Sequence, residues 1–197
     1  MHSTTAIHPI PAILVTGASG AAKQALVRAL LAARPAREHW AILDNDNSHL
    51  TTLQENAQLS VAGINGCMCC TGQIALQTGI VQLLRRSHPQ RLVIVASAAA
   101  EPAPLERALQ QEHLARAILI SQRWFVAAPE DLTPDLPSAR LLRLQQLQAA
   151  DMVVATGAAH ADALRAAATA LGVTAKRVAT FAEALHILTP VASTAGG

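Results

Sequence analysis

The stretch IPAILVTGASGAAKQALVRALLAA, residues 10–33, decides the fold of this chain. It opens with an apolar run that ends at Thr16 and then turns through Gly17-Ala-Ser-Gly20. Residues 21–33 continue with the composition and spacing of a helix. A buried strand that passes through a glycine turn into a helix is the first half of a βαβ unit. The stretch therefore predicts an α/β protein whose ligands lie beyond the carboxyl ends of its strands.

The rest of the chain repeats this alternation of apolar runs and helical segments. We predict strands at 40–44, 91–97, 152–155 and 178–180, and helices at 71–86, 105–111, 138–149, 161–171 and 181–188. Two apolar runs, 117–120 and 123–127, compete for one further strand, and one of them is expected to be a connector. Residues 50–64 have only a weak pattern. The alternation predicts an α/β fold, a three-layer α/β/α sandwich with a mainly parallel sheet, formed by residues 1–188 as one domain with 189–197 as a flexible tail.

The composition narrows the class of protein. Of the 197 residues 51% are hydrophobic, but with two Phe, two Trp and no Tyr the core must consist of Ala, Leu, Val and Ile. The net charge is +2 and the arginines are dispersed, so no nucleic-acid partner is expected. No apolar stretch approaches the roughly 20 residues that span a bilayer, and the N-terminus lacks the features of a secretory signal. No membrane partner is therefore expected, and reduced thiols place the protein in the cytoplasm.

All three cysteines of the chain, Cys67, Cys69 and Cys70, fall within four residues. Thiolates with this spacing on a short loop can converge on zinc or on copper(I), whereas a disulfide between such close residues would leave a third thiol over. The site then needs a fourth ligand from elsewhere in the chain. Two alternatives stay open: reduced thiols that bind nothing, and thiols that sense oxidation.

Four segments lie in order along the chain: PIPAILVTG at 9–17, GCMCCT at 66–71, LVIVASAAAEPAP at 92–104 and QQLQAADMVV at 145–154. Taken together, they resemble segments of the CobW-type P-loop GTPases. The second matches the family's GCxCC loop, and the third is similar to its VVIETSGLADPAP segment. The resemblance implies a P-loop NTPase-like fold and a role in metal delivery or metallocofactor assembly.

The nucleotide motifs of the family are degraded in this chain. The phosphate loop GxxxxGK[ST] falls on residues 17–24, where Gly17, Gly20 and Lys23 are present. Ala22 stands at the second conserved glycine, and Gln24 replaces the hydroxyl that holds Mg²⁺. These five residues are the candidate nucleotide-binding set.

Two further sequence motifs of the GTPase family are also altered in this chain. Val95 occupies the position of the family's Glu and Ala98 that of its Gly, and residues 156–159 read TGAA in place of NKxD. The resemblance therefore implies a pseudo-GTPase that has no catalytic residues and makes no productive use of GTP and Mg²⁺. A divergent hydrolase that is regulated by metal is the alternative.

The metal-binding loops of the family match this sequence more closely than its nucleotide motifs do. After the second strand the family reads near VIVNEFGE, and here Asp46 falls on the first Glu and His49 on the second. The resemblance implies a metal site formed by the three cysteines with Asp46 or His49, holding Zn²⁺ or else Co²⁺ or Cu⁺. Asp44 is expected to cap a turn. The predicted partners are the metal ion, a full-length family relative, a metalloprotein client and a second copy of the chain.

Overall fold

Seven parallel strands in one sheet organise the protein in the computed structural model, which describes residues 9–46, 50–53, 55–66, 72–133, 136–173 and 177–188. The strands, in chain order, are β1 (Ile10–Gly17), β2 (Trp40–Asp44), β3 (Leu59–Gly63), β4 (Arg91–Val95), β5 (Ile118–Ala127), β6 (Met152–Ala155) and β7 (Arg177–Ala179). Across the sheet their order is β3-β2-β4-β1-β5-β6-β7, and every neighbouring pair is parallel. The carboxyl ends of β2, β4 and β1 therefore lie side by side.

Helices connect these strands. Those in the described ranges are α1 (Gly20–Ala33), α2 (Gln73–Ser87), α3 (Pro102–Leu109), α4 (Glu112–Ala115), α5 (Pro137–Ala149), α6 (His160–Ala170) and α7 (Phe181–Leu188). Two short 3₁₀ turns, Leu50–Thr52 and Pro129–Leu132, complete the connections. None of the helices within the described ranges combines the length and apolarity that crossing a bilayer requires.

Helices cover both faces of the sheet. Along β1 the side chains alternate, so that Ile13 packs with Leu26 of α1 while Leu14 packs with Leu76 of α2. On the first face α7 joins α1, and on the second α3 joins α2, with α5 and α6 continuing over Phe125 of β5. The predicted three-layer α/β/α fold with a parallel sheet is confirmed, and its core is built mainly from Ala, Leu, Val and Ile.

The structure differs from the sequence-based expectations for the strands in two places. Residues 50–64 contain β3, which the sequence does not reveal because this edge strand, LSVAG, is only partly buried. The runs 117–120 and 123–127 are not a strand and a connector, since residues 118–120 and 123–127 both belong to β5. The pairing with β1 shifts between Ile120 and Gln122, and the intervening Ser121 donates a hydrogen bond from Oγ to Ala12 O at 3.1 Å. This irregularity interrupts the apolar pattern without ending the strand.

The outer edge of β3 is closed by two side chains. Val61 N donates to Glu55 Oε1 at 2.7 Å, and Arg86 Nη2 donates to Val61 O at 3.1 Å. The same Arg86 atom lies 2.9 Å from Glu55 Oε1, so an ion pair spans the backbone groups that a further strand would use. The prediction of one domain over 1–188 with a tail from 189 stays a prediction, because residues 1–8 and 189–197 lie outside the described ranges.

The turn after β1 generates a first testable prediction. Gly17 has a φ of 146°, and a Cβ built there would lie 2.3 Å from Val126 O. We expect Gly17→Ala to lower the free energy of unfolding by about 2 kcal/mol or more, because the backbone and β5 must both move. Chemical denaturation would measure the change.

Gly172→Ala is the matched control. Gly172 also has a positive φ, 76°, but a Cβ there would meet no atom within 4 Å. It should therefore cost only the conformational strain, about 1–2 kcal/mol. Equal losses in the two variants would show that the close approach to Val126 is unimportant.

Candidate functional site

The candidate site lies where β1, β2 and β4 end. Beyond β1 the chain turns through residues 17–20 into α1, beyond β2 it continues into Asn45 and Asp46, and beyond β4 it forms the loop 96–101. Because β4 lies between β1 and β2, the three segments meet at one edge of the sheet. This is the edge at which parallel α/β sheets bind their ligands.

The segment that resembles a phosphate loop has an early helix. In the motif strand–GxxxxGK[ST]–helix the glycine-rich loop precedes the helix and its backbone N–H groups cradle the phosphates. Here α1 already begins at Gly20, three residues before Lys23. Ser19 caps it: Ala22 N donates to Ser19 Oγ at 3.2 Å, and Lys23 N donates to Ser19 O at 3.1 Å. Two backbone donors of the motif are therefore committed within the chain.

Lys23 points into the protein. Its side chain has no exposed surface, and its Nζ donates to Asp46 Oδ1 at 2.7 Å and to Ala96 O at 2.9 Å. Burial lowers the pKa of Lys23, while the hydrogen bond and the charge of Asp46 act in the opposite direction. Gln24, the next residue, is half-buried on α1. The ammonium of Lys23 is thus held between the ends of β2 and β4.

The two carboxylate oxygens of Asp46 have different surroundings among the described residues. Its Oδ1 accepts hydrogen bonds from Lys23 Nζ and, at 3.0 Å, from Ala98 N. Its Oδ2 is buried and has no hydrogen-bond partner among the residues that the structure describes. A buried carboxylate oxygen without a partner is costly, and a donor or a cation beside it would remove that cost.

Two neighbours hold the segment that carries Asp46. Asp44 Oδ1 accepts from Asp46 N at 3.0 Å and its Oδ2 accepts from Leu50 N at 3.3 Å, which confirms the predicted turn role of Asp44. Asn45 Nδ2 donates to Ile64 O at 2.9 Å and to Gly66 O at 2.7 Å. Asn45 thereby ties the end of β2 to the residues that lead into the cysteine loop.

Helix α5 fixes the loop after β4 from the other side. Arg143 Nη1 donates to Ala98 O at 2.8 Å, and Gln146 Nε2 donates to Ala100 O at 2.8 Å. Burial lowers the pKa of Arg143, and the charge of Asp131 opposes this shift. Arg143, Gln146 and Asn45 were not predicted as site residues, because none of them lies in a motif that predicts chemistry.

Some of the predicted site residues lie close together in the structure, and others fall outside the described residues. Lys23 and Asp46 are in direct contact, and Gly17, Gly20, Ala22 and Gln24 lie on the adjoining turn and first helical turn. His49, Cys67, Cys69 and Cys70 lie outside the described residues. Within the described ranges no group of three or more His, Cys, Asp or Glu side chains could hold a metal ion. The predicted metal ligands therefore stay predictions.

Residues 156–159, at the position of the guanine-recognition motif, form hydrogen bonds within the protein through Thr156. Thr156 N donates to Ala127 O at 3.1 Å, and Thr156 Oγ1 lies 2.9 Å from His160 Nδ1 at the start of α6. Gly157 and the two alanines that follow have no functional groups in their side chains. The segment thus offers no carboxylate for a base edge.

The chain is similar in sequence to a protein that is described as a zinc chaperone. The zinc chaperone YeiR of Escherichia coli strain K12 is 28% identical over 146 residues, which cover 72% of this chain and 44% of YeiR. The chain thus spans less than half the length of this relative. The predicted resemblance to CobW-type P-loop GTPases agrees with this match.

Two solved structures share the fold. The Zn(II)-bound YjiA GTPase from E. coli has a TM-score of 0.59 at 16% identity, covering 88% of this chain and 57% of its own. The signal recognition particle 54 kDa protein from Aeropyrum pernix K1, in complex with GDP, has a TM-score of 0.54 at 17% identity, covering 89% of this chain and 43% of its own. At these identities the likeness concerns the fold.

The family assignment rests on a match along nearly the whole chain. The family model described as the CobW/HypB/UreG nucleotide-binding domain matches residues 11–187, which include every strand and helix given above from β2 to α6. The chain therefore belongs to the CobW/HypB/UreG nucleotide-binding domain family.

Proposed function

We propose that this protein binds a transition metal ion, in the first place Zn²⁺, as cargo and passes it to a metalloprotein client without hydrolysing GTP. One observation carries the proposal: the buried Oδ2 of Asp46 has no partner among the described residues. An acceptor oxygen of this kind is a ready ligand for a cation.

The chain connections around Asp46 support a site shared with the cysteines. Asn45 precedes Asp46, Gly66 precedes Cys67, and the hydrogen bond from Asn45 Nδ2 to Gly66 O joins the two segments at 2.7 Å. Three thiolates and one carboxylate oxygen are a suitable tetrahedral set for Zn²⁺, with His49 as the alternative fourth ligand. The relatives support this choice of metal, because YeiR is described as a zinc chaperone and YjiA was solved with Zn(II).

Three features argue against GTP turnover. Lys23, which in a phosphate loop reaches the β- and γ-phosphates, is bound to Asp46 and fully buried. Gln24 replaces the Mg²⁺-binding hydroxyl, and phosphoryl transfer depends on positioning and on charge stabilisation by that metal. Val95, at the family's Glu position, is buried in the core beneath α1. We therefore infer that the domain keeps the P-loop architecture as a scaffold for metal binding.

The mode of action follows from the ligand set. Mixed ligation with one oxygen suits a metal that must leave again better than a closed site of four thiolates, because the hard oxygen is the weaker partner of a borderline-soft ion. The thiolates require a reducing compartment, so we place the protein in the cytoplasm. A metalloprotein client, a full-length family relative or a second copy of the chain would receive or share the metal.

Metal content is the direct test of this function. Protein purified under reducing conditions without chelator should contain about one Zn²⁺ per chain. Changing Cys67, Cys69 and Cys70 together to Ser should remove it, and Asp46→Asn should weaken binding about 10-fold or more, because an amide oxygen is a poorer zinc ligand than a carboxylate. Plasma mass spectrometry and competition with a chromophoric chelator give both values.

Asp162→Asn is the matched control, because this exposed carboxylate lies on α6 and pairs with Arg165 of the same helix. It should leave zinc binding unchanged. Absence of zinc in the wild type even after anaerobic reconstitution would refute the function, and disulfide or sulfenate formation under mild peroxide would then support oxidation sensing.

A second prediction concerns nucleotide turnover. We expect no release of phosphate from Mg·GTP by the wild type, and none by the double variant Ala22→Gly with Gln24→Thr, because Lys23 stays bound to Asp46. The measurement is multiple-turnover phosphate release with and without zinc. Turnover in the wild type that zinc modulates would favour the divergent, metal-regulated hydrolase instead.

A further inference from the structure

We propose that Lys23, the lysine of the former phosphate loop, is now a positioning residue of the metal site, where it holds Oδ1 of Asp46 so that Oδ2 is presented to the metal ion. The inference rests on the proposed metal-binding function and assigns a new role to this side chain. It concerns an outer-sphere contact, since an ammonium group cannot itself ligate a cation.

The side chain of Lys23 is buried and hydrogen-bonded within the protein. The residue has no exposed surface, and its Nζ lies within hydrogen-bond distance of two oxygens that belong to different strand ends, Asp46 Oδ1 and Ala96 O. A lysine that serves a phosphate must present its ammonium to the ligand at the start of α1. Here the ammonium is instead directed toward the end of β2.

The two oxygens of the Asp46 carboxylate differ in their hydrogen bonds. Oδ1 accepts two donors that come from different segments, Lys23 Nζ at 2.7 Å and Ala98 N at 3.0 Å, while Oδ2 has none among the described residues. Two donors on one oxygen fix the rotation of the carboxylate about its χ angles. Ligating carboxylates are commonly oriented in this way by hydrogen bonds to the oxygen that the metal does not use.

The two groups that donate to Asp46 Oδ1 are themselves held in place by the fold. Ala98 O accepts from Arg143 Nη1 at 2.8 Å and Ala100 O accepts from Gln146 Nε2 at 2.8 Å, so α5 holds the loop that supplies Ala98 N. Lys23 is fixed by its place in the first turn of α1. Both donors therefore arrive from structures that do not depend on the metal.

Charge favours the same arrangement. Three thiolates and one carboxylate around Zn²⁺ carry an excess of negative charge, and burying it requires a nearby cation. The buried ammonium of Lys23 supplies that cation at the carboxylate. The Lys23 ammonium thus balances part of the negative charge of the proposed site.

Substitution of Lys23 tests the role, and the chain offers a matched control because Lys176 is its only other lysine. Lys23→Met should weaken zinc binding about 10–100-fold, as loss of an outer-sphere partner does, whereas Lys176→Met should leave it unchanged. Zinc affinity is measured by chelator competition. Circular dichroism and thermal unfolding establish that each variant is folded.

Cobalt(II) supplies a readout that a merely structural role would not change. In protein reconstituted with Co²⁺, Lys23→Met should alter the visible d–d bands, because the carboxylate loses its fixed orientation, while the thiolate-to-cobalt bands persist. Lys176→Met should give the wild-type spectrum.

A measurement on the unaltered protein covers the case in which Lys23→Met does not fold. In protein labelled with ¹⁵N-lysine only two side-chain signals exist, and that of Lys23 should shift on stoichiometric addition of Zn²⁺ while that of Lys176 stays in place.

The outcomes separate the two proposals. Absence of zinc binding in the wild type overturns the proposed function and this inference with it. Full zinc binding with an unchanged Lys23→Met affinity and cobalt spectrum, or with an unshifted Lys23 signal, overturns only the role of Lys23.

Discussion

The buried ion pair between Lys23 and Asp46 is the contact on which this end of the molecule depends. Neither group could stay charged alone at this depth, because the loss of hydration for one buried ion far exceeds what a single neutral hydrogen bond returns. Removing one partner of such a pair typically costs about 3–5 kcal/mol, since it leaves the other charge uncompensated. The pair therefore constrains α1, the end of β2 and the loop after β4 to one arrangement.

The order of strands in the sheet makes this contact possible. Lys23 and Ala96 are separated by 73 positions in the chain, yet they meet because β4 is inserted between β1 and β2. The same insertion brings the backbone of Ala98 to the carboxylate of Asp46. A nucleotide-binding architecture thus already contains, at its ligand edge, a lysine and an acidic loop close enough to bind each other. In this chain the two groups hydrogen-bond to each other, Lys23 Nζ to Asp46 Oδ1 at 2.7 Å.

Much of the fold could be predicted from the sequence, because strongly apolar strands and amphipathic helices leave clear periodicities. The first strand, the Gly17 turn and the helix to Ala33 were assigned to within a residue. Failures fell where local pattern and tertiary environment differ. The edge strand β3 is half exposed and lacks a continuous apolar run, and Ser121 interrupts β5 although its side chain bonds to the neighbouring strand.

The candidate site was less accessible to sequence reasoning. Asp46 was found because it falls on a position of a known motif, but its contact with Lys23 depends on the order of strands, which no local pattern encodes. Asn45 and Gln146 act through single hydrogen bonds to backbone carbonyls, so their residue type alone predicts nothing. The cysteines and His49 lie outside the described residues, and their role stays a prediction.

The closed edge of β3 has a consequence for how this protein meets others. An exposed strand edge recruits foreign strands and is a common starting point of aggregation. At Val61 the carboxylate of Glu55 stands where a neighbouring carbonyl would accept, and the guanidinium of Arg86 stands where a neighbouring amide would donate. The pair imitates one residue of an eighth strand. When this protein meets another chain, the edge at Val61 therefore offers no free backbone groups as a template for β-pairing.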